Sequence, residues 1–262
     1  MKIEYITTII HILVSFITLI ASINAIINGS RNIKIIFYTF ALVCILLSDT
    51  YWFTYDMLRP DIRMPFAANE IAEWAMFISL GKLFSTSKDI FHKSAVKEII
   101  CSVIFVIANV CLWMYWTGEY IQDILTGITI IYFLFNLMIF IKQNDPFSPR
   151  VWRIWSILCF LVILLNILII FIKDDYAFII EFFIYIILFA FNVYIFVKTL
   201  ISLNSDTEQL CSISNSFTLF FWSIISMYMT SGFYYMIAMI SGTISIPLMF
   251  LAIVGRKKHD IC

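Results

Sequence analysis

Nine runs of roughly twenty mainly apolar residues follow one another along this chain, joined by short connections. A helix of about that length crosses the hydrocarbon layer of a bilayer. Inside lipid, backbone polar groups find no water, so each run must satisfy its own hydrogen bonds as a helix. The runs cover 4–27, 35–54, 66–84, 98–117, 121–141, 151–172, 177–200, 212–230 and 233–254. Turn-forming groups punctuate them, such as Asn28-Gly29-Ser30-Arg31, Asn144-Asp145-Pro146 and Lys173-Asp174-Asp175. Residues 212–254 are almost continuously apolar, with Ser231-Gly232 marking the turn. That stretch is too long for one span and sufficient for two. Gly242 and Pro247 point to a kink or close packing in the last span. The first run is too long for a signal-peptide core and follows a weak positive leader, so it reads as a first span.

The expected fold is all-α: a polytopic integral membrane helix bundle of about nine transmembrane helices, with eight as the alternative. It forms a single transmembrane domain over 1–262 with no soluble domain. Composition agrees. Hydrophobic residues make up 62% of the chain, charged residues 13%, and the mean hydropathy is +0.97. Too few polar residues exist to cover a soluble fold. Soluble kinase, cyclase and nucleotide-binding domains are excluded. Seventeen basic and seventeen acidic residues balance, which removes the basic excess of a nucleic-acid binder. The six cysteines form no CxxC pair, and most read as buried thiols. His11 is the one histidine of three inside an apolar run, so no multi-histidine zinc site is available. No cofactor or metal is expected.

Basic residues set the direction of the spans. With nine spans, one side holds Arg31, Lys34, Lys82, Lys88, Lys93, Lys97, Lys142, Arg150, Arg153, Lys198, Arg256, Lys257 and Lys258, which is 13. The other holds Lys2, Arg59, Arg63 and Lys173, which is 4. An eight-span count shifts the balance to 10 against 7. The larger bias favours nine spans, with the N-terminus outside, the C-terminus cytoplasmic, and a location in the cell membrane.

Ionisable groups within spans are costly and mark sites by default. Four stand out: His11, Asp49, Glu73 and Glu181. Given the direction of each helix, and about 1.5 Å of rise per residue, all four fall at one depth near the outer face. Neighbours thicken the layer: Tyr51 and Trp52 beside Asp49, and Asn69, Glu70 and Trp74 around Glu73. Asn69, Glu70 and Glu73 share a helix face at spacings of three and four.

Two readings of this layer stay open. In the first, the aromatics form an interfacial belt, and the acids complement helix dipoles and pair with Arg59 and Arg63. In the second, the helices enclose an outward-facing acidic pocket with aromatic walls, suited to a proton, a metal cation or an organic amine. Nothing fixes a nucleophile, and neither GxSxG nor HExxH occurs. The function expected is therefore a small transporter or permease component binding a small cationic ligand. The alternatives are a sensor subunit signalling through a cytoplasmic protein partner, and an intramembrane lipid-modifying enzyme. Asn109, Asn136, Asn166 and Asn192 lie inside spans and are expected to form interhelical hydrogen bonds.

Overall fold

The computed structural model describes residues 3–29, 32–59, 68–86, 96–144, 148–171, 174–204, 209–230 and 232–255. Nine helices follow in order: α1 (Ile3–Ile27), α2 (Ile33–Leu58), α3 (Ala68–Ser85), α4 (Val96–Thr117), α5 (Tyr120–Asn144), α6 (Pro149–Phe171), α7 (Asp174–Asn204), α8 (Gln209–Met229) and α9 (Gly232–Val254). Each apolar run corresponds to one helix. Seven helices are long and apolar enough to cross a membrane. The two others are α3, with Glu70, Glu73 and Lys82 in 18 residues, and α4, whose apolar stretch is Ser102–Tyr115. Polar residues do not stop these helices, because backbone hydrogen bonding continues past the apolar stretch. Thus α2 runs on to Leu58, and α7 reaches Asn204.

Eight helices close a ring in the order α1, α2, α3, α5, α4, α6, α7, α9 and back to α1. The ninth, α8, fills it. Buried residues run without a break from Ser212 to Ser223, so every face of that stretch is covered. This helix is the least apolar of the seven long ones and the most enclosed. Apolar side chains gain nothing by leaving lipid, whereas hydroxyls gain by leaving it. A serine-rich helix therefore belongs in the middle. Its rings reach the surrounding helices: Phe217 packs on Tyr38 of α2 and Phe84 of α3, and Trp222 on Phe105 of α4 and Trp155 of α6.

The same inversion shapes α1. Its buried residues are Thr8, His11, Ser15, Thr18 and Ser22, every one polar, while Leu13, Phe16, Ile17 and Ile20 lie exposed on the apolar flank. The spacing of three and four places the five on one stripe. At one end of that stripe Thr39 Oγ1 of α2 donates to Ser22 Oγ at 3.0 Å.

Close helix approach is set locally by glycine. A Cβ added at Gly81 of α3 would lie 2.6 Å from two ring carbons of Tyr132 and 3.2 Å from Phe133 Cα of α5. The ring can rotate, but the backbone must shift. Gly81→Ala is expected to destabilise the bundle by about 1–3 kcal/mol, read as a lower melting temperature in detergent. An unchanged melting temperature would show that α3 and α5 do not approach so closely.

Candidate functional site

A cavity of about 470 Å³ lies at the end of the bundle where α1, α3, α5 and α9 begin and α2, α4 and α8 finish. Its charged lining comes from four helices and the turn before α5. His11 stands on α1, Asp49 on α2, Glu70 and Glu73 on α3, and Glu119 and Asp123 at the start of α5. No lysine or arginine lines it among the described residues. Trp52, Trp113, Tyr228 and Tyr235 supply aromatic wall, and Ile45, Met76, Phe220 and Ile224 supply apolar surface.

Local sequence explains how each group arrives. In α2 the residues Ile45, Ser48, Asp49 and Trp52 recur at helical spacing and face the cavity together. In α3 Asn69, Glu70, Glu73 and Met76 do the same. After α4, Gly118 takes a φ of +73°, a left-handed conformation that a side chain disfavours, and its N–H caps Met114 O at 3.2 Å. The turn leads directly into Glu119, Gln122, Asp123 and Thr126, all on the cavity wall.

Two polar clusters hold the acids, one through a close histidine–carboxylate contact and one through hydrogen bonds. His11 Nε2 lies 3.2 Å from Asp49 Oδ2, and its Nδ1 lies 2.6 Å from Thr243 Oγ1 of α9. His11 thus ties α1 to both α2 and α9. Glu73 accepts from Tyr228 of α8, O to O 2.7 Å, and from Ser48 of α2 at 3.2 Å. Both clusters place a carboxyl group on the wall of one shared space. Asn69 adds a further feature: it is 7% exposed, lines the cavity, and its Oδ1 is buried without a hydrogen-bond partner. A buried acceptor left this way is costly, so the site lacks a donor that something else could supply.

The residues expected from sequence are distributed as follows. His11, Asp49, Trp52, Asn69, Glu70 and Glu73 all line the cavity. Trp74 stands just behind the wall, its indole N–H donating to Thr126 Oγ1 at 2.8 Å. Tyr51 is outside the lining and stacks on Tyr55 along α2. Glu181 is outside it too. Its neighbour Phe182 packs on Tyr234 of α9, so Glu181 sits at the same end of the bundle but on α7, which contributes nothing to this cavity. Arg59 is not in the lining, and Arg63 lies outside the described residues.

Thr8, Glu119, Gln122, Asp123 and Thr126 are polar lining groups that sequence reasoning did not select. Their signal was the shared end of the bundle: Glu119 and Asp123 follow a span that ends on the same side as Asp49. Of the intramembrane asparagines, Asn192 does join two helices, donating to Ser226 of α8 at 2.9 Å. Asn109 and Asn136 instead donate to Phe105 O and Tyr132 O one turn back in their own helices. That correction has a simple cause. The nearest acceptor to a helical side-chain amide is the carbonyl four residues earlier, which keeps a second lone pair after accepting its backbone hydrogen bond.

An apolar outer flank, seven membrane-length helices and an acidic cavity inside one end together give the anatomy of a multi-pass membrane protein with an enclosed polar site. Comparison with protein-family models, curated proteins and solved structures finds no match for this chain.

Proposed function

We propose that this protein is a small membrane transporter or permease component that admits an organic cation, such as a quaternary or protonated amine, into the acidic cavity. The observation that carries this reading is the lining itself: five carboxyl groups and five aromatic side chains around about 470 Å³, with no lysine or arginine among the described residues. Carboxylates offset a cation's charge, and aromatic faces attract it through their quadrupoles. A bare metal ion fits less well, because among the described residues no three histidine, cysteine or carboxylate groups converge to hold one. All nine helices cross the membrane in this reading, the two less apolar ones shielded by neighbours. The excess of basic residues on the opposite side supports a cavity facing out, with the C-terminus in the cytoplasm.

The test is flux. Purified protein in liposomes is expected to take up radiolabelled tetraethylammonium down its gradient, well above protein-free liposomes. Binding without uptake would move the reading to a sensor that passes a helix shift to a cytoplasmic partner. Neither binding nor uptake of tetraethylammonium or choline would overturn the cation reading.

A further inference from the structure

A second cavity, of about 200 Å³, lies between α7, α8 and α9 and shares no lining residue with the acidic one. Its character is different. Leu188, Phe196, Ile237 and Ala238 contribute apolar wall, and no charged side chain lines it among the described residues. It meets the lipid-facing surface, because the lining residues Phe189, Val193, Ile240 and Ile244 are themselves 43%, 43%, 49% and 38% exposed on the apolar flank. A molecule reaching this space comes from the bilayer and not from water.

One polar group in the lining is incomplete. Asn192 is 5% exposed. Its Nδ2 donates to Ser226 Oγ at 2.9 Å. The Ser226 hydroxyl spends its own hydrogen on Trp222 O at 2.7 Å, so it can only accept from Asn192. That fixes which way the amide faces. The Oδ1 atom is left buried with no hydrogen-bond partner. Buried carbonyl oxygens are rarely left so, and the missing partner must be a donor.

We propose that this cavity is a binding site for a membrane-dissolved molecule with an apolar body and one hydroxyl, the hydroxyl donating to Asn192 Oδ1. The size fits. An apolar cavity on the order of 150 Å³ accommodates a benzene ring. The space here takes the hydroxyl-bearing end of such a molecule, a ring or a short length of chain. The rest of the ligand lies along the exposed groove residues of α7 and α9. An anionic headgroup has no cationic partner here, and a plain hydrocarbon leaves Asn192 Oδ1 unsatisfied.

Photoaffinity labelling in nanodiscs tests this without reference to the acidic cavity. The probes are a long-chain fatty alcohol carrying a diazirine near its hydroxyl and the matching methyl ether, which has no donor. The alcohol is expected to label peptides around Phe189, Val193, Ile240 and Ile244 saturably. The ether should label them about tenfold less at equal concentration. Asn192→Leu should erase that difference while leaving the melting temperature within a few degrees of wild type. Equal labelling by the two probes, labelling spread evenly over all lipid-facing helices, or an alcohol preference that survives Asn192→Leu would each overturn the proposal. Should Asn192→Leu fail to fold, the two probes on the wild-type protein still decide.

Discussion

Glu73→Gln is expected to weaken organic-cation binding tenfold to a hundredfold, about 1.4–2.8 kcal/mol, while leaving the fold intact. Glutamine has nearly the volume of glutamate. Its carbonyl oxygen can still accept from Tyr228, and its amide can donate to the Ser48 hydroxyl, which now sits 3.2 Å from a carboxylate oxygen. What disappears is the capacity of this wall position to carry a negative charge opposite a bound cation. A unit charge about 4 Å from a cation contributes about 4 kcal/mol at an effective dielectric constant near 20, before desolvation is subtracted. The remaining carboxyl groups, Asp49 foremost, keep the loss below that figure. The measurement is the melting temperature of detergent-purified protein over a range of tetraethylammonium concentrations. Choline and its uncharged carbon isostere should be run beside it. Wild type should rise by several degrees with either cation and not with the isostere, and Glu73→Gln should need far more cation for the same rise. Equal responses from the two proteins would remove Glu73 from the site. A response to the uncharged isostere would remove charge from the recognition.

Height along the bundle is legible in the sequence, whereas position around the bundle is not. Counting residues from a span end gives height directly, since each helix rises by a fixed step. His11, Asp49 and Glu73 were selected this way, and the fold brings them to one cavity. Glu181 satisfies the same height criterion and misses, because α7 packs on α8, α6 and α9 and supplies no lining residue to the cavity, an arrangement set by packing order. Tyr51 fails for a more local reason. The face of α2 defined by Ile45, Ser48 and Trp52 turns Tyr51 away. Glu119 and Asp123 carry no comparable signal in the sequence: they stand at the very start of a span, where a carboxylate has an ordinary explanation in the helix dipole. Their place beside Glu70 and Glu73 depends on α3 and α5 being neighbours, which Gly81 permits and no spacing rule reveals.

Helix identity was legible for the opposite reason: it is a local property. Nine long apolar runs gave nine helices among the described residues, because in lipid the backbone has few other solutions. The burial of α8 and the inward stripe of α1 were also written in the chain. Ser212, Ser214, Ser216, Ser223 and Ser226 mark α8 as the helix least suited to face lipid. Thr8, His11, Ser15, Thr18 and Ser22 mark the inward side of α1. Hydrophobicity sought inside, as in a soluble protein, hides both patterns. Polarity sought inside reveals them.

Trp222 at the centre of α8 should be the position least tolerant of truncation. Trp222→Ala is expected to cost about 3–5 kcal/mol, enough to abolish a folded peak on size exclusion or to lower the melting temperature sharply. The side chain is fully buried, with ring centroids of Phe105, Trp155, Phe191 and Phe221 at 5.1 to 5.6 Å. Four helices, α4, α6, α7 and α8, thus meet on one indole. In lipid no hydrophobic gain offsets a badly filled interior, so the loss is packing contacts forfeited outright across an empty volume. Trp222→Phe provides the discriminating comparison. The indole N–H is itself buried without a hydrogen-bond partner, so replacement by phenylalanine removes an unsatisfied donor along with part of the ring. Those effects oppose each other, and the net cost should stay below about 1.5 kcal/mol. A large loss for both variants would mean that the N–H has a partner holding α8 in place. A small loss for both would mean that α8 is not the packed centre of the ring. The expected contrast, severe for alanine and mild for phenylalanine, arises only if Trp222 acts through volume. That volume stands between one and two helical turns from Tyr228, the residue that presents its hydroxyl to Glu73. The rings that hold the bundle together and the acids that face the cavity are therefore carried on the same helix. A loss of packing at Trp222 should accordingly weaken cation binding even though no atom of Trp222 lines the acidic cavity.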